Sequence, residues 1–221
     1  MMLVKYWMSR NLVTVKTTDS VIKAKLLLKE YNISHLPVME KGNLLGIITG
    51  WDIRHLIPSD TLKVKHIMTR DPVTVPWDYT VGETAEILLK HNISSVPVVD
   101  TQGSVAGIIT KGDLFKVLVP LTGVGKKGVQ FALLLTDRRG AIKEITDLIR
   151  ENGGRMMSAL TSYGDAPSGS LKLYIRMYGL ERKKLEALKQ KIMEKATILY
   201  MVDHRENTRK ICINDTYKVS G

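Results

Sequence analysis

An internal repeat constrains the fold of this chain more than any single motif does, because a duplicated sequence predicts a duplicated structural unit. Three segments recur in the same order at nearly constant spacing: residues 8–15 as 68–75, residues 32–38 as 92–98, and residues 46–52 as 107–113. One extra residue enters the second copy at a glycine-containing turn, where a hairpin tolerates an insertion. The first half of the chain therefore predicts two copies of one unit.

Each copy predicts the element order β-α-β-β-α. An extended Val-Thr-Val segment comes first, and helices follow over residues 20–31 and 80–91, the second opened by the capping-box pattern Thr80-x-x-Glu83. Pro37 and Pro97 interrupt the next strand of each copy, so we expect them at a strand start or a sheet edge. The helix positions expected to face the core are Val21, Ala24, Leu27 and Leu28 in the first copy and Val81, Ala85, Leu88 and Leu89 in the second.

The last strand of each copy ends in a threonine that is followed, three positions later, by an aspartate. Thr49 precedes Asp52, and Thr110 precedes Asp113. At a helix start, such a pair lies beside free backbone N–H groups that attract phosphate, and its carboxylate can accept hydrogen bonds from sugar hydroxyls. The same spacing also fits a capping box, which stabilises a helix by roughly 0.5–2 kcal/mol and binds nothing. The spacing by itself leaves both interpretations open.

The composition indicates a soluble globular protein, with 44% hydrophobic and 25% charged residues. No apolar run approaches the roughly 20 residues that cross a bilayer, and the first residues lack the apolar segment of a signal peptide. We therefore expect a cytoplasmic protein with no membrane partner. The single cysteine, Cys212, and five histidines without metal-ligand spacing favour neither a disulfide framework nor a metal site. We expect no catalytic residue, no metal, no cofactor and no enzymatic activity.

The duplicated unit closely resembles the CBS domain, through its Ile-Ser-x-x-Pro-Val strand and its Gly-Ile-Ile-Thr-x-x-Asp ending. Two units in tandem resemble a CBS pair, or Bateman module, with repeats over residues 1–60 and 61–120. The resemblance implies two clefts around a pseudo-twofold axis that bind adenine nucleotides or adenosyl compounds. With both Thr-x-x-Asp pairs intact, it favours nucleotide binding over capping alone.

The resemblance also implies roles for individual side chains. Two threonines would bind phosphate, two aspartates would hold the ribose hydroxyls, and the residues two positions before the prolines would contact phosphate. The leading segment of one repeat would line the cleft of the other. One site would then contain Asp52, Thr49, His35, Thr69 and Val73, and the other Asp113, Thr110, Ser95, Ser9 and Val13. His35 has an equally weighted alternative as a partly exposed histidine at a strand end, and Trp51 would stack on a base or pack in a subunit interface.

The C-terminal part predicts a linker over residues 121–128 and one β-α-β-β-α-β pass over residues 129–205, followed by a tail over residues 206–221. Two helices on one face of a four-stranded sheet form a ferredoxin-like arrangement. The expected strands cover residues 129–135, buried on both faces, and residues 156–163, 170–177 and 198–202; the expected helices cover residues 141–151 and 181–195. The whole chain therefore belongs to the α/β (α+β) class.

The start of this C-terminal region, Asp-Arg-Arg-Gly-Ala-Ile from Asp137, resembles an ACT domain, a regulatory module that often binds amino acids. Arg139 departs from the family pattern, which has proline there. The resemblance implies an effector site at Asp137, Gly140 and Ala141, while the alternative is that Gly140 only allows close packing of helix on sheet. CBS–ACT chains of this length resemble the acetoin-utilisation accessory proteins of bacteria.

The net charge of +11 is concentrated at the C-terminal end, since residues 126–221 hold 19 basic and 11 acidic residues. The charges alternate in sign, which favours a solvated helix face. We expect a regulatory, allosteric sensor that binds an adenosine-containing ligand, forms a homodimer and acts on an unidentified partner protein, with an ACT-like domain that serves dimerisation or takes a second, amino-acid-like effector. The alternatives are a nucleic-acid-binding regulator that uses the basic region and a ligand-free accessory subunit of an enzyme.

Overall fold

The computed structural model describes residues 2–56, 61–164 and 166–212. The chain divides after Val117 into two compact units. The predicted boundary between the repeats, at residue 60, lies outside the described residues, and so do residues 213–221 of the predicted tail. Both units combine helices with β-sheets, so the mixed α/β class is confirmed.

The first unit contains two three-stranded sheets, one for each repeat, with strand orders β1-β2-β3 and β4-β5-β6. The strands are β1 (His35–Glu40), β2 (Asn43–Thr49), β3 (Thr69–Arg70), β4 (Val75–Pro76), β5 (Ser95–Val99) and β6 (Val105–Thr110). The helices are α1 (Val21–Glu30), α2 (Gly50–Arg54), α3 (Val81–Lys90) and α4 (Lys111–Thr122). The predicted repeat of helix, two antiparallel strands and closing helix is therefore present twice.

The leading segments of the two repeats are exchanged between the two hydrophobic cores. A 3₁₀ turn at Val4–Tyr6 places Val4 and Met8 in the core of the second repeat, beside Leu88 and Ile109. The turn at Val64–His66 likewise places Val64 in the core of the first repeat. Since each core needs side chains from both repeats, the pair is one folding unit.

The core face of α3 differs from the predicted one. Leu89 is 73% exposed, while Thr84 is fully buried between Val81 and Leu88. Residues 81, 84 and 88 follow the three-and-four spacing of one helix face, and Leu89 lies about 100° further round the helix. The Thr84 hydroxyl donates a hydrogen bond of 3.0 Å to the Thr80 carbonyl, which removes the cost of burying it unpaired.

The two prolines lie inside their strands, so the prediction of a strand start is wrong. The alternative of a sheet edge is confirmed for Pro37, whose strand β1 is at the edge of its sheet, and is wrong for Pro97, whose strand β5 is the middle one. Pro37 is the third residue of β1 and pairs with Ile47. Its carbonyl accepts a hydrogen bond from the Val15 amide, and the Met39 amide donates to the Val15 carbonyl. Proline has no backbone N–H, so the pairing of β1 with the extended segment before α1 begins at the Pro37 carbonyl.

The closing helix α4 also runs further than predicted, through Pro120 to Thr122, so the linker begins at residue 123 rather than 121. A proline this close to the helix end removes one backbone hydrogen bond from the final turns. The Thr122 hydroxyl donates to the Leu118 carbonyl at 3.0 Å, which adds a bond in the same turn.

The second unit forms one antiparallel sheet of five strands in the order β11-β10-β7-β9-β8. Helices α5 and α6 contribute Ile145, Ile149, Leu188 and Ile192 to a single core. The strands are β7 (Val129–Thr136), β8 (Arg155–Ser162), β9 (Ser170–Tyr178), β10 (Thr197–Asp203) and β11 (Thr208–Ile211), and the helices are α5 (Ala141–Glu151) and α6 (Leu185–Met193). The resemblance of this unit to an ACT domain stays a prediction.

Three details of the second unit differ from the sequence expectation. Strand β7 buries one face fully, but Gln130 and Leu134 on its other face are partly exposed, because the helices cover one side of the sheet. The helix expected to begin at residue 181 starts with a 3₁₀ turn at Arg182–Lys184. Strand β11 occupies part of the predicted tail and pairs with β10.

Candidate functional site

Both Thr-x-x-Asp pairs form capping interactions at the start of a helix. In the first, the Asp52 Oδ2 atom accepts hydrogen bonds from the Thr49 amide at 2.7 Å and from its hydroxyl at 2.8 Å. In the second, the Asp113 Oδ2 atom accepts from the Thr110 amide at 3.0 Å and from its hydroxyl at 2.7 Å. The capping interpretation is therefore correct for both pairs, and it occupies one oxygen of each carboxylate.

The second carboxylate oxygen of Asp113 is held by a lysine side chain. Asp113 Oδ1 accepts a 2.8 Å ion-pair hydrogen bond from Lys116, whose side chain is 73% exposed. Burial alone would raise the pKa of Asp113, but the hydrogen bonds from Lys116 and Thr110 outweigh it and hold the pKa below its ordinary value. Asp113 is therefore ionised at neutral pH, and its outer oxygen is paired with an exposed lysine.

A cleft of about 810 Å³ lies in the first unit and is bordered by residues of both repeats. Its volume lies within the roughly 300–1,000 Å³ of typical small-molecule sites. The start of α4, the segment before α1 and the start of β1 all border it. The predicted site residues that line it are Ser9, Val13, His35, Thr49, Thr110 and Asp113.

Strand exchange brings Ser9 to the second Thr-Asp pair. Ser9 forms an antiparallel bridge with Ile108, two residues before Thr110. Gly107 permits this approach, because a Cβ atom there would lie 2.7 Å from the Ser9 carbonyl oxygen and 2.7 Å from the Met8 sulfur. Thr69 is placed in the same way beside β2, where it pairs with Ile47. Gly46 and Gly107, which each precede an Ile-Ile-Thr sequence, therefore allow each leading segment to reach the other repeat.

His35 links the two repeats at the cleft, since its Nε2 atom lies 2.9 Å from the Ser94 hydroxyl. Burial lowers the pKa of this histidine, and the charge of Asp52 opposes the shift. The ring is therefore neutral at pH 7 and acts as a hydrogen-bonding group rather than as a cation. Ser94 was missed by the sequence analysis, although its position before Ser95 matches Ser34 before His35.

Four of the predicted site residues do not line this cleft: Asp52, Ser95, Thr69 and Val73. Ser95 is 5% exposed, and its hydroxyl has no hydrogen-bond partner among the described residues. Val73 packs against the second core. The cleft therefore combines the second Thr-Asp pair with the His35 side of the first repeat. Basic residues that sequence reasoning did not assign also line it: Arg54, Lys111 and Lys116.

In the second unit, the predicted effector residues lie between β7 and α5. Gly140 precedes the helix with a φ of +87°, a left-handed conformation that favours glycine. A Cβ atom there would meet no atom within 4 Å, so the alternative that Gly140 allows close packing is wrong. Ala141 is buried and Asp137 is exposed. Their binding of an effector stays a prediction.

Two other features, a metal site and a membrane-spanning helix, are absent from the described residues. Among the described residues, no cluster of three or more His, Cys, Asp or Glu side chains is arranged to hold a metal ion. Within the same residues, none of the helices combines the length and apolar character needed to span a bilayer.

The first unit matches a known protein family. The family model of the CBS domain matches residues 4–59 and 64–120. A relative, the L-aspartate semialdehyde sulfurtransferase of Methanocaldococcus jannaschii, is 39% identical over 116 residues, which are 52% of this chain and 23% of that enzyme. The chain thus spans about a quarter of the length of this curated relative.

Two solved structures are similar to the same part of the chain. A CBS domain structure is 30% identical, with a TM-score of 0.51, and the match covers 54% of this chain and 99% of that one. A CBS domain pair solved with 5′-methylthioadenosine and S-adenosyl-L-methionine is 38% identical, with a TM-score of 0.49, and the match covers 52% of this chain and 94% of that one.

Proposed function

We propose, since this chain belongs to the CBS domain family and carries a tandem pair of its repeats, that the pair is a non-enzymatic regulatory sensor for an adenosine-containing ligand. The observation that carries the proposal is the cleft of about 810 Å³ in which an ionised aspartate, a helix start and an apolar wall meet. These three features match the ribose, the phosphate and the base of a nucleotide. The activities of the enzymes that contain similar repeats are not part of the proposal.

The ribose is proposed to bind at Asp113. Its Oδ2 atom is fixed by Thr110, so the carboxylate is held in one orientation before the ligand arrives. Its Oδ1 atom can exchange Lys116 for a ribose hydroxyl, because the ion pair with an exposed lysine contributes at most about 1 kcal/mol. Preorganisation by the cap and a replaceable partner on the other oxygen suit reversible binding.

The phosphate and the base are proposed to bind on opposite sides of the ribose. Helix α4 has 12 residues, and the start of this helix faces the cleft with Gly112 and Lys111. The Lys111 amide donates to the Ser94 carbonyl and the Asp113 amide to the Thr110 hydroxyl, so the helix dipole and the charge of the Lys111 side chain, rather than these two amides, favour an anion. Val13, Ile33 and Pro37 supply an apolar surface for the base. Ser9 and His35 then provide hydrogen-bonding groups between the two ends.

Replacing Asp113 by alanine tests this assignment. We expect loss of one equivalent of ligand, the one bound in this cleft, in isothermal titration calorimetry with AMP, ATP, S-adenosyl-L-methionine, 5′-methylthioadenosine and NAD. The same change removes a capping box, which costs roughly 0.5–2 kcal/mol of stability. Glu83→Ala is the matched control, because Thr80 and Glu83 form an equivalent capping box on α3 and neither residue lines the cleft.

The proposal predicts a separate result for the wild-type protein and for each variant. At least one compound of the panel must raise the melting temperature of the wild type, since a ligand at a hundredfold excess over its Kd stabilises by about 2.7 kcal/mol. Glu83→Ala should keep that response, whereas Asp113→Ala should lose the part of it that comes from ligand bound in this cleft. A panel without any effect on the wild type, or equal binding by the two variants, contradicts the proposed site.

Further parts of the assignment concern the first Thr-Asp pair and the second unit. Asp52, with Thr69 and Val73, is proposed to form a second, pseudo-equivalent site, and Asp52→Ala should then remove one equivalent of ligand from the binding stoichiometry. The second unit is proposed to be an ACT-like module that supports a homodimer or takes an amino-acid-like effector at Asp137, Gly140 and Ala141. Binding is proposed to alter contact with a partner protein in the cytoplasm.

A further inference from the structure

The five-stranded sheet of the second unit has helices on one side only. Ile145 of α5 and Leu188 of α6 pack with alternate strand residues, such as Phe131 and Ile175, to form the core. Successive side chains of a strand point to opposite faces of a sheet. The remaining strand positions therefore form an open face, which is defined by Ala132 on β7, Tyr174 and Arg176 on β9, Tyr200 on β10 and Arg209 on β11.

An apolar row crosses the middle of the open face. Ala132 pairs with Tyr200 on one side and with Tyr174 on the other. At the two ends of the row, Ile211 pairs with Tyr200 and Leu160 pairs with Tyr174. Ile211 is 82% exposed, Leu160 is 40% exposed, and both tyrosines are partly exposed. The row therefore presents apolar and aromatic surface to solvent.

The open face is also basic, since none of its positions in the described strands is an aspartate or a glutamate. Arg209 on β11 and Arg155 on β8 lie at the two edges of the sheet, and both are exposed. Neither arginine has a carboxylate in ion-pair contact within the described part of the chain. Around α5 and α6, by contrast, Glu144, Glu181 and Glu186 pair with neighbouring cations. The lack of acids is therefore local to the open face.

One end of the open face is covered by the segment that follows α4. The Lys126 carbonyl accepts a hydrogen bond of 2.9 Å from Arg176 Nη2, and a Cβ atom on Gly123 would lie 3.4 Å from Arg176 Cδ. Lys126 and Lys127 of this segment are exposed and add positive charge. The open face thus holds a chain segment at Arg176, whereas the ends of the apolar row remain exposed.

We propose that the open face docks an acidic amphipathic helix of the regulated partner protein. The apolar side of that helix lies on the row, and its carboxylates reach Arg209 and Arg155 on the two flanks. Five strands at about 4.8 Å span about 19 Å between the edges, and a helix with its side chains is about 10–12 Å wide. Such a helix therefore fits between the two arginines. The inference takes the partner of the proposed function as its premise and names the chemistry of that partner.

Charge and apolar character favour this occupant over two others. A second copy of the chain would bring two basic faces together, and like charges across an interface are unfavourable. A single-stranded nucleic acid would satisfy the arginines, but the aliphatic ends of the row, Ile211 and Leu160, offer its bases no aromatic ring to stack on. An acidic amphipathic helix complements both the charge and the row.

Two synthetic helical peptides of about 18 residues, or five turns, test the proposal on the full-length protein. Both carry leucines along one helix face, and the flanking positions are glutamate in one peptide and lysine in the other. We expect the glutamate peptide to shift the amide NMR signals of β9, β10 and β11. One exposed ion pair changes affinity by at most a factor of about five, so two pairs predict about tenfold tighter binding than for the lysine peptide. That ratio should decline as salt screens the charges.

Charge reversal at the two edges provides the matched variants. Arg155→Glu combined with Arg209→Glu should weaken binding of the glutamate peptide about tenfold or more. Lys183→Glu combined with Lys191→Glu makes the same change in net charge at exposed lysines near α6. This control should keep the wild-type preference for the glutamate peptide, apart from a small general effect of net charge. Ile211→Ser should weaken both peptides at an unchanged melting temperature, because the side chain is 82% exposed.

Four results would overturn the inference. Equal affinity of the two peptides, or equal binding by the edge variant and its control, would mean that the edge arginines do not select an acidic partner. Tighter binding of single-stranded oligouridylate than of the glutamate peptide would assign the open face to nucleic acid. A wild-type dimer that Ile211→Ser converts to a monomer in light scattering would assign it to a second copy of the chain. The peptide titrations contain no adenosine compound, so failure of the nucleotide panel and failure of this docking site are separate results.

Discussion

The Asp113 carboxylate shows how one side chain can have a structural and a binding role. Its inner oxygen caps α4 through Thr110, and its outer oxygen contacts an exposed lysine. The two interpretations of the Thr-x-x-Asp motif are therefore compatible, because they use different oxygen atoms. A variant at this position must be judged by binding and stability together.

Arg176 presents the opposite case, a buried charge with no carboxylate in ion-pair contact among the described residues. It is 3% exposed, its Nη2 atom donates to the Lys126 carbonyl at 2.9 Å, and its Nε atom has no partner among the described residues. Burial first, and then the charges of Arg176 and Arg209, lower the pKa of His204, while Asp203 opposes them. A buried cation with incomplete hydrogen bonding is costly.

Replacing Arg176 by methionine should raise the pKa of His204 toward its ordinary value, because the nearest repelling charge is removed. The titration of the His204 ring by NMR measures the shift. Arg209→Met should move the pKa in the same direction by less, since Arg209 follows Arg176 among the causes. The melting temperature should change little, because the lost hydrogen bond, worth about 1 kcal/mol, is offset by removal of a buried charge. An unchanged pKa of His204 would rule out the interaction.

At the scale of elements, the exchanged leading segments determine where the cleft lies. Strand β3 pairs with β2, and Ser9 bridges to β6, so each segment contacts the strand that carries the other repeat's Thr-Asp pair. These contacts depend on glycine at two positions. Gly46 and Gly107 both face a backbone carbonyl at 2.7 Å from where a Cβ atom would be.

Gly107→Ala should destabilise the first unit by about 1–3 kcal/mol, because its Cβ atom would displace Met8 from the core and Ser9 from the cleft. Urea unfolding measures the loss, and ligand affinity should decline with it. Gly82→Ala on α3 is the control, since its Cβ atom would approach nothing closer than 3.9 Å and alanine favours a helix by roughly 0.5–1 kcal/mol. Equal stability of the two variants would mean that the close approach at Gly107 is absent.

At the scale of the whole molecule, the basic charge of the C-terminal region is largely interleaved with acids. Glu181 contacts Lys183 and Lys184, and Glu186 contacts Lys189. Glu144 lies between Arg138 and Lys195. Such pairs are worth little to stability, but they divide the positive surface into small areas. This pattern favours the solvated-face interpretation over a continuous nucleic-acid interface.

We therefore expect duplex DNA to bind weakly and without saturation at physiological salt. Fluorescence anisotropy of a labelled duplex, titrated at several salt concentrations, measures this. A dedicated interface with about 6–10 phosphate contacts would instead give a slope of log affinity against log salt steeper than about −5, and tight binding at low salt. That result would favour the nucleic-acid alternative. If the DNA affinity then stayed the same on addition of the adenosine-containing ligand, DNA binding would be independent of the proposed sensor function.

The sequence by itself determined the repeat, the order of elements in the first unit and the capping box at Thr80, and it left capping and binding open at Thr49 and Thr110. These features depend on residues three or four positions apart, on apolar periodicity and on duplication, all of which are local in the chain. The tertiary structure decided which of the matching positions share a cleft, that Asp113 lines it while Asp52 does not, and that Arg54, Lys111 and Lys116 border the same cleft. It also decided that Thr84 is buried and Leu89 exposed, because such placements depend on close packing between distant segments, which no local pattern records.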